Sequence, residues 1–303
     1  ATKISGKAKI LGTQLEGIDL AEDRERFRTL LNELKIPQPE NATATSKESA
    51  LESAHKVTYP VVVRPSYVIA GRGMQIVYSD EELERYIEEA VEVSEARPVL
   101  IDKYLENAIE CEIDGVSDGS ELFIGGIMEH IEKAGVHSGD ASCVTPPVRL
   151  TDKLQKTIIG YSNTIALALG TIGMINIQYA VKDDIVYVLE ANPRASRTAP
   201  YLSKAIGIPI VKIATQLIMG KTLKELGLHG VAKSKVFAVK SVVFPFQKLK
   251  GVDFVLGPEM KSTGESMGMD YSFGKAFYKA MLGANVNIPS EGLVVVTLND
   301  ESK

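Results

Sequence analysis

Apolar positions along the chain switch repeatedly between a helical and a strand period. Phe27, Leu30, Leu31 and Leu34 recur at helical spacing and predict a helix over 22–35, which Pro37 and Pro39 end. A short helix is predicted over 46–56. VVVR (61–64) reads as a buried strand, 65–75 as a flexible loop with small residues at 70, 71 and 73, and 75–78 as a strand. Ser79 followed by Glu82 signals a capped helix start. Leu83, Tyr86, Ile87, Ala90 and Val91 then give that helix one apolar stripe. Strands are predicted at 99–105 and near 109–117 and 121–131, then a loop with Gly135 and Gly139. Thr151 caps a long helix to about Leu169, and strands 174–181 and 185–192 flank Lys182, Asp183 and Asp184. Helices follow at about 196–206, 210–219 and 274–282, with strands near 235–243 and 293–298. This mixture, with strands joined by short turns, predicts an α+β (mixed α/β) fold rather than a doubly wound parallel sheet.

Composition narrows the function classes. The chain has 303 residues, 34 Lys+Arg against 39 Asp+Glu, and a net charge of −5. That length allows two domains or one multi-lobed domain and needs no disulfide or metal to fold. With no basic run, it is not expected to bind nucleic acid. No apolar stretch reaches the roughly 18 residues of a membrane span, and no secretory signal opens the sequence, so a cytoplasmic protein with no membrane partner is expected. Cys111 and Cys143 read as small core residues. No Walker or Rossmann glycine motif is present.

The chemistry concentrates near residue 190. On strand 174–181, Asn176, Gln178 and Ala180 share one face; on 185–192, Glu190 and Asn192 face one way and Tyr187, Leu189 and Ala191 the other. A three-residue loop at 182–184 would set Gln178 against Val188 and Asn176 against Glu190, gathering the polar groups on one face. Oxygen-bearing side chains beside a carboxylate suit Mg²⁺, which takes hard oxygen ligands and borrows phosphate oxygens for the rest. Arg194 and Arg197 follow at once, three apart at the start of a helix. Their guanidinium forks, close to helix N–H groups, make an anion site.

Four segments carry a resemblance: VVRPSYVIAGRGMQIVY (62–78), MEHIEKAGVHSGDAS (128–142), NIQYAVKDDIVYVLE (176–190) and EANPRASRTAPYLSKAIGIP (190–209). Together the sequence resembles the ATP-grasp domain of the carbamoyl-phosphate synthetase large chain, from about residue 10 to the end. Arg72, Val136, Ser138, Thr198 and Pro200 resemble its carbamate-phosphorylating, C-terminal half rather than the bicarbonate-phosphorylating half. The resemblance implies an ATP-grasp fold with two lobes clasping ATP, largely antiparallel sheets and flanking helices. It implies a ligase forming carbamoyl phosphate, with ATP and Mg²⁺ (or Mn²⁺) as cofactors and K⁺ as a further cation. Arg64 corresponds to the Arg that meets the ATP phosphates, and the 70–73 loop, with Gly71 and Arg72, to the lid over them. Lys103, Leu105 and Glu110 correspond to the strand that holds adenine and ribose, and Gly135, Val136, His137 and Ser138 to a nucleotide-contacting turn. Gln178, Glu190 and Asn192 correspond to the metal ligands. Arg194 corresponds to the Arg at the acyl substrate's oxyanion, with Arg197 near it. Ala70 stands where the lid has a Gly. His55 and His130 have no motif role and read as structural.

Residues 1–20 are expected to be a remnant of a preceding subdomain, 21–225 the ATP-grasp domain with a mobile lid lobe over about 60–135, and 226–303 an extension completing the synthetase unit. Carbamate or bicarbonate and ammonia are the implied substrates. A glutamine amidotransferase subunit, a second ATP-grasp half or another copy of the chain are the implied partners. Three other readings stay open: a bicarbonate-dependent ATPase; another ATP-grasp carboxylate ligase, which shares the Glu-x-Asn-x-Arg strand end but not GVHSGD followed by NPRxxRT; and a nucleotide-binding module without full activity.

Overall fold

The computed structural model describes residues 10–65, 73–93, 98–245, 255–289, 291–293 and 295–296. Gly71 and Arg72, with most of the expected lid loop, lie outside them. In chain order the elements are α1 (Leu15–Glu22), α2 (Arg24–Glu33), β1 (Asn41–Ala44), α3 (Lys47–Val57), β2 (Val61–Pro65), β3 (Gln75–Val77), α4 (Asp80–Val93), β4 (Val99–Lys103), β5 (Ile109–Asp118), β6 (Leu122–Lys133), β7 (Cys143–Thr145), α5 (Asp152–Ala168), β8 (Ile172–Lys182), β9 (Ile185–Asn192), α6 (Ala199–Ile206), α7 (Ile210–Ile218), β10 (Phe237–Val243), β11 (Gly264–Asp270) and α8 (Phe273–Gly283). They form two sheets, antiparallel throughout.

The larger sheet runs β11-β10-β7-β6-β5-β8-β9. One face of its central strands is apolar, and the other is apolar where helices α6 and α7 cover it. Phe27 and Leu31 of α2 and Leu154, Ile158 and Ile165 of α5 pack on Ile113, Ile175 and Ile177. Leu202 of α6 and Ile210, Ile213 and Leu217 of α7 pack on Val116, Phe123 and Met174 from the opposite side. Tyr179, fully buried, keeps its hydroxyl satisfied on Ser162 Oγ at 2.6 Å. α8 lies so close to β11 that a Cβ on Gly268 would sit 2.0 Å from the Ala276 carbonyl oxygen.

The smaller sheet, β1-β4-β2-β3, carries α3 and α4. Ser46 and Ser49 cap α3 reciprocally. At the start of α4, Ser79 Oγ accepts the Glu82 N–H at 3.3 Å, while the Glu82 carboxylate accepts the Tyr78 N–H at 2.9 Å rather than that of Ser79.

This architecture shifts the expected limits. The small lobe spans 41–103, not 60–135, because β5 and β6 belong to the larger sheet. Leu20 and Ala21 of α1 pack against the main core. Residues beyond 225 continue the larger sheet through β10 and β11. Short β1, β7 and β11 and helix α1 were not anticipated. The strand expected at 293–298 is absent among its described residues, where Leu293, Val295 and Val296 are exposed. Among the described residues no single helix is long and apolar enough to cross a membrane.

Candidate active site

A cleft of about 700 Å³ separates the two sheets. One end is apolar, walled by Met74 and Ile76 from the small lobe and by Leu105, Ala180 and Leu189 from the body. The other end is charged, walled by Arg64, Gln178, Glu190, Asn192 and Arg194. A smaller cavity of about 250 Å³ shares Gln178, Glu190, Asn192 and Arg194 and adds Arg197, Lys240, Glu112 and Met260.

The β8–β9 hairpin builds the charged end in a register other than the expected one. Asp183 and Asp184, at φ 50 and 59, form a two-residue turn, so Lys182 pairs with Ile185. That register alone would set Glu190 against Ile177, on the core side. A bulge corrects it: the register shifts between Gln178 and Tyr179, leaving Leu189 unpaired. Gln178 therefore faces Glu190, not Val188, and Asn176 faces Asn192, not Glu190. Tyr187, Leu189 and Ala191 do not share a face. Val186, Val188 and Ala191 enter the core, while Leu189 turns to the cleft.

Asn192 Nδ2 donates to Glu190 Oε1 at 2.9 Å, and Arg194 Nη2 donates to Asn192 Oδ1 at 2.9 Å. Gln178 Nε2 donates to Ser138 Oγ at 3.2 Å, which leaves its carbonyl oxygen free to face a ligand. The Glu190 carboxylate and the Gln178 amide oxygen are hard-oxygen donors that suit Mg²⁺, and Asn192 would join them by turning its Oδ1 from Arg194 to the ion. Among the described residues no cluster of three His, Cys, Asp or Glu side chains could hold a metal by itself. A cation here therefore depends on oxygen atoms from a bound substrate for the rest of its shell.

Arg64 points from β2 to the same end. Its Nε lies 3.6 Å from Asp102 Oδ2 and makes no hydrogen bond. Burial, and then the charge of Arg24, pull its pKa below the ordinary value, against the attraction of Asp102 and Glu190. Glu110 Oε1 accepts the Gly135 N–H at 3.1 Å and so fixes the 135–138 turn. Gly135 has φ 100, and a Cβ there would meet Tyr104 Oη at 2.8 Å. His137 Nδ1 accepts the Gly139 N–H at 3.0 Å, and burial lowers its pKa, so the neutral ring carries its proton on Nε2. Lys103 lines the cleft, but its ammonium is tied to the Thr58 and Tyr59 carbonyls at 2.8 and 2.9 Å. Arg197 lines only the smaller cavity, with Nη1 2.7 Å from Met260 Sδ.

Beneath the cleft lies a buried polar row that the sequence reading passed over. Glu110, Glu112 and Asp114 alternate along one face of β5. Asp114 Oδ2 accepts from Ser196 Oγ and Thr198 Oγ1, both at 2.7 Å, and Oδ1 from Asn176 at 3.1 Å. It thereby ties down the loop that carries Arg194 and Arg197. Burial, and then the Glu112 charge, push its carboxyl up to about 6, against those hydrogen bonds. His130, read as merely structural, stands 3.4 Å from Glu110 Oε2 and 3.6 Å from Glu112 Oε1, without hydrogen-bond geometry to either. Burial alone would lower its pKa, but the two carboxylates outweigh it and raise it to about 9. The signals were present: acidic residues alternate with Ile109, Cys111 and Ile113, and a single Lys interrupts the apolar run FAVKSVV. Cys111 and Cys143 are buried and free, as expected.

Three comparisons place this geometry. N5-carboxyaminoimidazole ribonucleotide synthetase, solved as its ADP complex, has a TM-score of 0.72 at 15% identity, over 93% of this chain and 75% of that one. The biotin carboxylase domain of Hydrogenobacter thermophilus 2-oxoglutarate carboxylase, solved with MgADP and bicarbonate, has a TM-score of 0.68 at 20% identity, over 82% and 56%. Both show the ATP-grasp fold. Sequence likeness is closer. The chain is 61% identical over 296 residues to the carbamoyl phosphate synthase large chain of Archaeoglobus fulgidus, covering 98% of this chain and 28% of that one. It is 56% identical over 304 residues to the C-terminal section of the Methanocaldococcus jannaschii large chain, covering 97% and 49%. It thus spans less than half the length of these relatives. The model for the carbamoyl-phosphate synthase L chain, ATP binding domain, matches residues 23–226, and with the two-sheet cleft already described the chain belongs to that family of ATP-grasp enzymes.

Proposed function

We propose that the chain phosphorylates carbamate with ATP to give carbamoyl phosphate and ADP. The observation that carries this reading is the pair of joined cavities: one long and graded from apolar to charged, the other small, polar and walled by Arg194 and Arg197. The first matches a nucleoside triphosphate, with adenine at the apolar end and phosphates toward Arg64. The second matches a small carboxylate-type acceptor. The C-terminal section of the Methanocaldococcus relative, together with Val136, Ser138, Thr198 and Pro200, favours carbamate over bicarbonate as that acceptor.

In this mechanism the carbamate oxygen attacks the γ-phosphorus. The bond from that phosphorus to the β–γ bridging oxygen breaks, and ADP leaves with the electron pair. No protein nucleophile is required. Arg64 offers donors to the phosphates, and Arg194 orients the acceptor in line. His137, neutral, offers an N–H without adding charge. Mg²⁺ held by Glu190, Asn192 and Gln178 would neutralise phosphate charge at the same end. Nitrogen enters as ammonia or from a glutamine amidotransferase partner.

ADP release is measured with bicarbonate alone, with ammonium and bicarbonate together, and with carbamate. Release stimulated by carbamate, and by the ammonium mixture that forms it, is expected. Stimulation by bicarbonate with indifference to ammonium and carbamate overturns the acceptor assignment.

A further inference from the structure

The smaller cavity holds a charge that the mechanism above leaves unused. Lys240 sits in the middle of β10, between the buried Val239 and Ser241, and is itself 1% exposed. Its Nζ donates to the Ser138 carbonyl oxygen at 3.2 Å. That is one acceptor for three N–H groups. Among the described residues no carboxylate oxygen lies within 4.0 Å of it. Glu112, whose ionisation Lys240 favours from farther off, gives one oxygen to Asn176 and turns the other toward His130.

An ammonium withdrawn from water without a close counter-ion is unfavourable unless an anion arrives to pair with it. The cavity indicates which anion. Lys240, Arg194 and Arg197 line it against the carboxylates of Glu112 and Glu190, three cations to two anions, and Met260 is its one apolar side chain. Lys240 does not line the nucleotide cleft, whereas Arg64 lines that cleft alone. The lysine is therefore on the acceptor side of the shared Gln178, Glu190, Asn192 and Arg194 wall, away from the adenine end.

We infer that Lys240 is a catalytic residue that binds the oxyanion of the small carboxylate-type acceptor and the acyl carbonyl oxygen of the acyl phosphate formed from it. The inference rests on the reading that the small cavity takes the acceptor. It assigns Lys240 the point charge and Arg194 the planar fork, two donors converging on one acyl group. Because carbamate and the carboxyl end of carbamoyl phosphate share this contact, the reverse reaction reports it too. In that direction a β-phosphate oxygen of ADP attacks the phosphorus of carbamoyl phosphate. The bond from phosphorus to the acyl oxygen breaks, and carbamate leaves with the electron pair, its oxyanion beside Lys240. No proton and no further reactant is needed.

The test is ATP formation from carbamoyl phosphate and ADP by the wild type and by Lys240→Met, with Tm read alone and with each ligand. The expected result is a KM for carbamoyl phosphate raised 10–100-fold, the scale of one hydrogen bond to a charged group, and a KM for ADP within twofold. The Tm of the free variant should be equal to or above that of the wild type, because a buried charge has gone. The Tm rise given by carbamoyl phosphate should shrink, and that given by ATP should not. Unchanged KM values overturn the inference. So does an equal loss of ATP and carbamoyl phosphate binding, which would put the γ-phosphate at Lys240. A lowered Tm with both KM values raised together would make Lys240 a structural support of the Ser138 turn. If Lys240→Met fails to fold, Lys240→Gln, which keeps a donor for Ser138, is read in the same way. If the wild type makes no ATP, the proposed reaction fails; the carbamoyl phosphate Tm shift then decides Lys240 separately, a shift undiminished in the variant overturning its role.

Discussion

At the scale of single residues, Arg194 and Asp114 divide one task. Arg194 reaches Asn192 across the cleft wall, and Asp114 pins Ser196 and Thr198 from below. Arg194→Ala should lower kcat for carbamoyl phosphate formation by roughly 10²–10³-fold, the effect of removing one preorganised donor. The ATP dissociation constant should change little, since Arg64 remains, and Arg194→Lys should recover only part because it lacks the fork. Steady-state kinetics beside equilibrium ATP binding check this; equal losses in both would move Arg194 to the nucleotide site. Asp114 gives a pH signature. Its folded pKa of about 6 lies above the ordinary 3.8. Between these values the unfolded chain has released a proton that the folded chain keeps, so Asp114's contribution to stability falls as pH rises through the window and is flat above it. Asp114→Asn should flatten urea-unfolding stability between pH 4 and about 6, and parallel wild-type and variant curves there would refute this. His130 acts in a separate window: its folded pKa of about 9 against 6.5 adds stability that is full below 6.5 and is lost as pH rises through 9.

At the scale of elements, what could be read from the sequence depended on length and periodicity. α2, α5 and β8 were legible because each repeats its apolar positions several times. β7 has three residues and β11 carries two glycines in seven, so neither offers a period to read. The convergence of Gln178, Glu190 and Asn192 was legible from alternation, but its register was not. Nothing local marks Leu189 as the residue that drops out of the ladder, because what selects the bulge is burial of Val188 on one face and Glu190 on the other. Lys240 and Asp114 were missed for a related reason: their partners come from the turn after β6, from β8 and from the loop after β9, far away in sequence. The hairpin makes its own test. Deleting Leu189 removes the bulge and leaves Glu190 opposite Gln178 in the register the two-residue turn sets, so the Tm rise with MgATP should persist. Asp184→Gly, at a φ of 59 where glycine is unstrained, should keep that rise and lift the unliganded Tm by about 1–2 °C. A deletion variant that no longer responds to MgATP would show that pairing Gln178 with Glu190 is not enough to position the site.

At the scale of the molecule, the two lobes meet at a charged seam on the cleft wall. Asp102 of the small lobe accepts from Arg24 of the body at 3.0 Å and lies 3.6 Å from Arg64 of its own lobe. Arg24 also donates to the Leu189 carbonyl oxygen at 3.3 Å, so one guanidinium links the lobe to the bulge that sets the site. One carboxylate thus serves two arginines, and the buried Nε of each has no hydrogen-bond partner. This arrangement leaves positive charge facing the cleft before any nucleotide is bound. Asp102→Asn removes the shared counter-ion while keeping the shape, so Arg24 and Arg64 then repel each other with little between them. The unliganded Tm should fall by about 3–6 °C, the scale of a part-buried ion pair losing one partner in a chain of this size. An added polyphosphate becomes the missing counter-ion, so the Tm rise produced by ATP should be larger in the variant than in the wild type. Differential scanning fluorimetry with and without ATP reads both changes. A smaller ATP response in Asp102→Asn would mean that Asp102 mainly holds the lobes in the register ATP needs, and that the charge on Arg64 is secondary to that alignment.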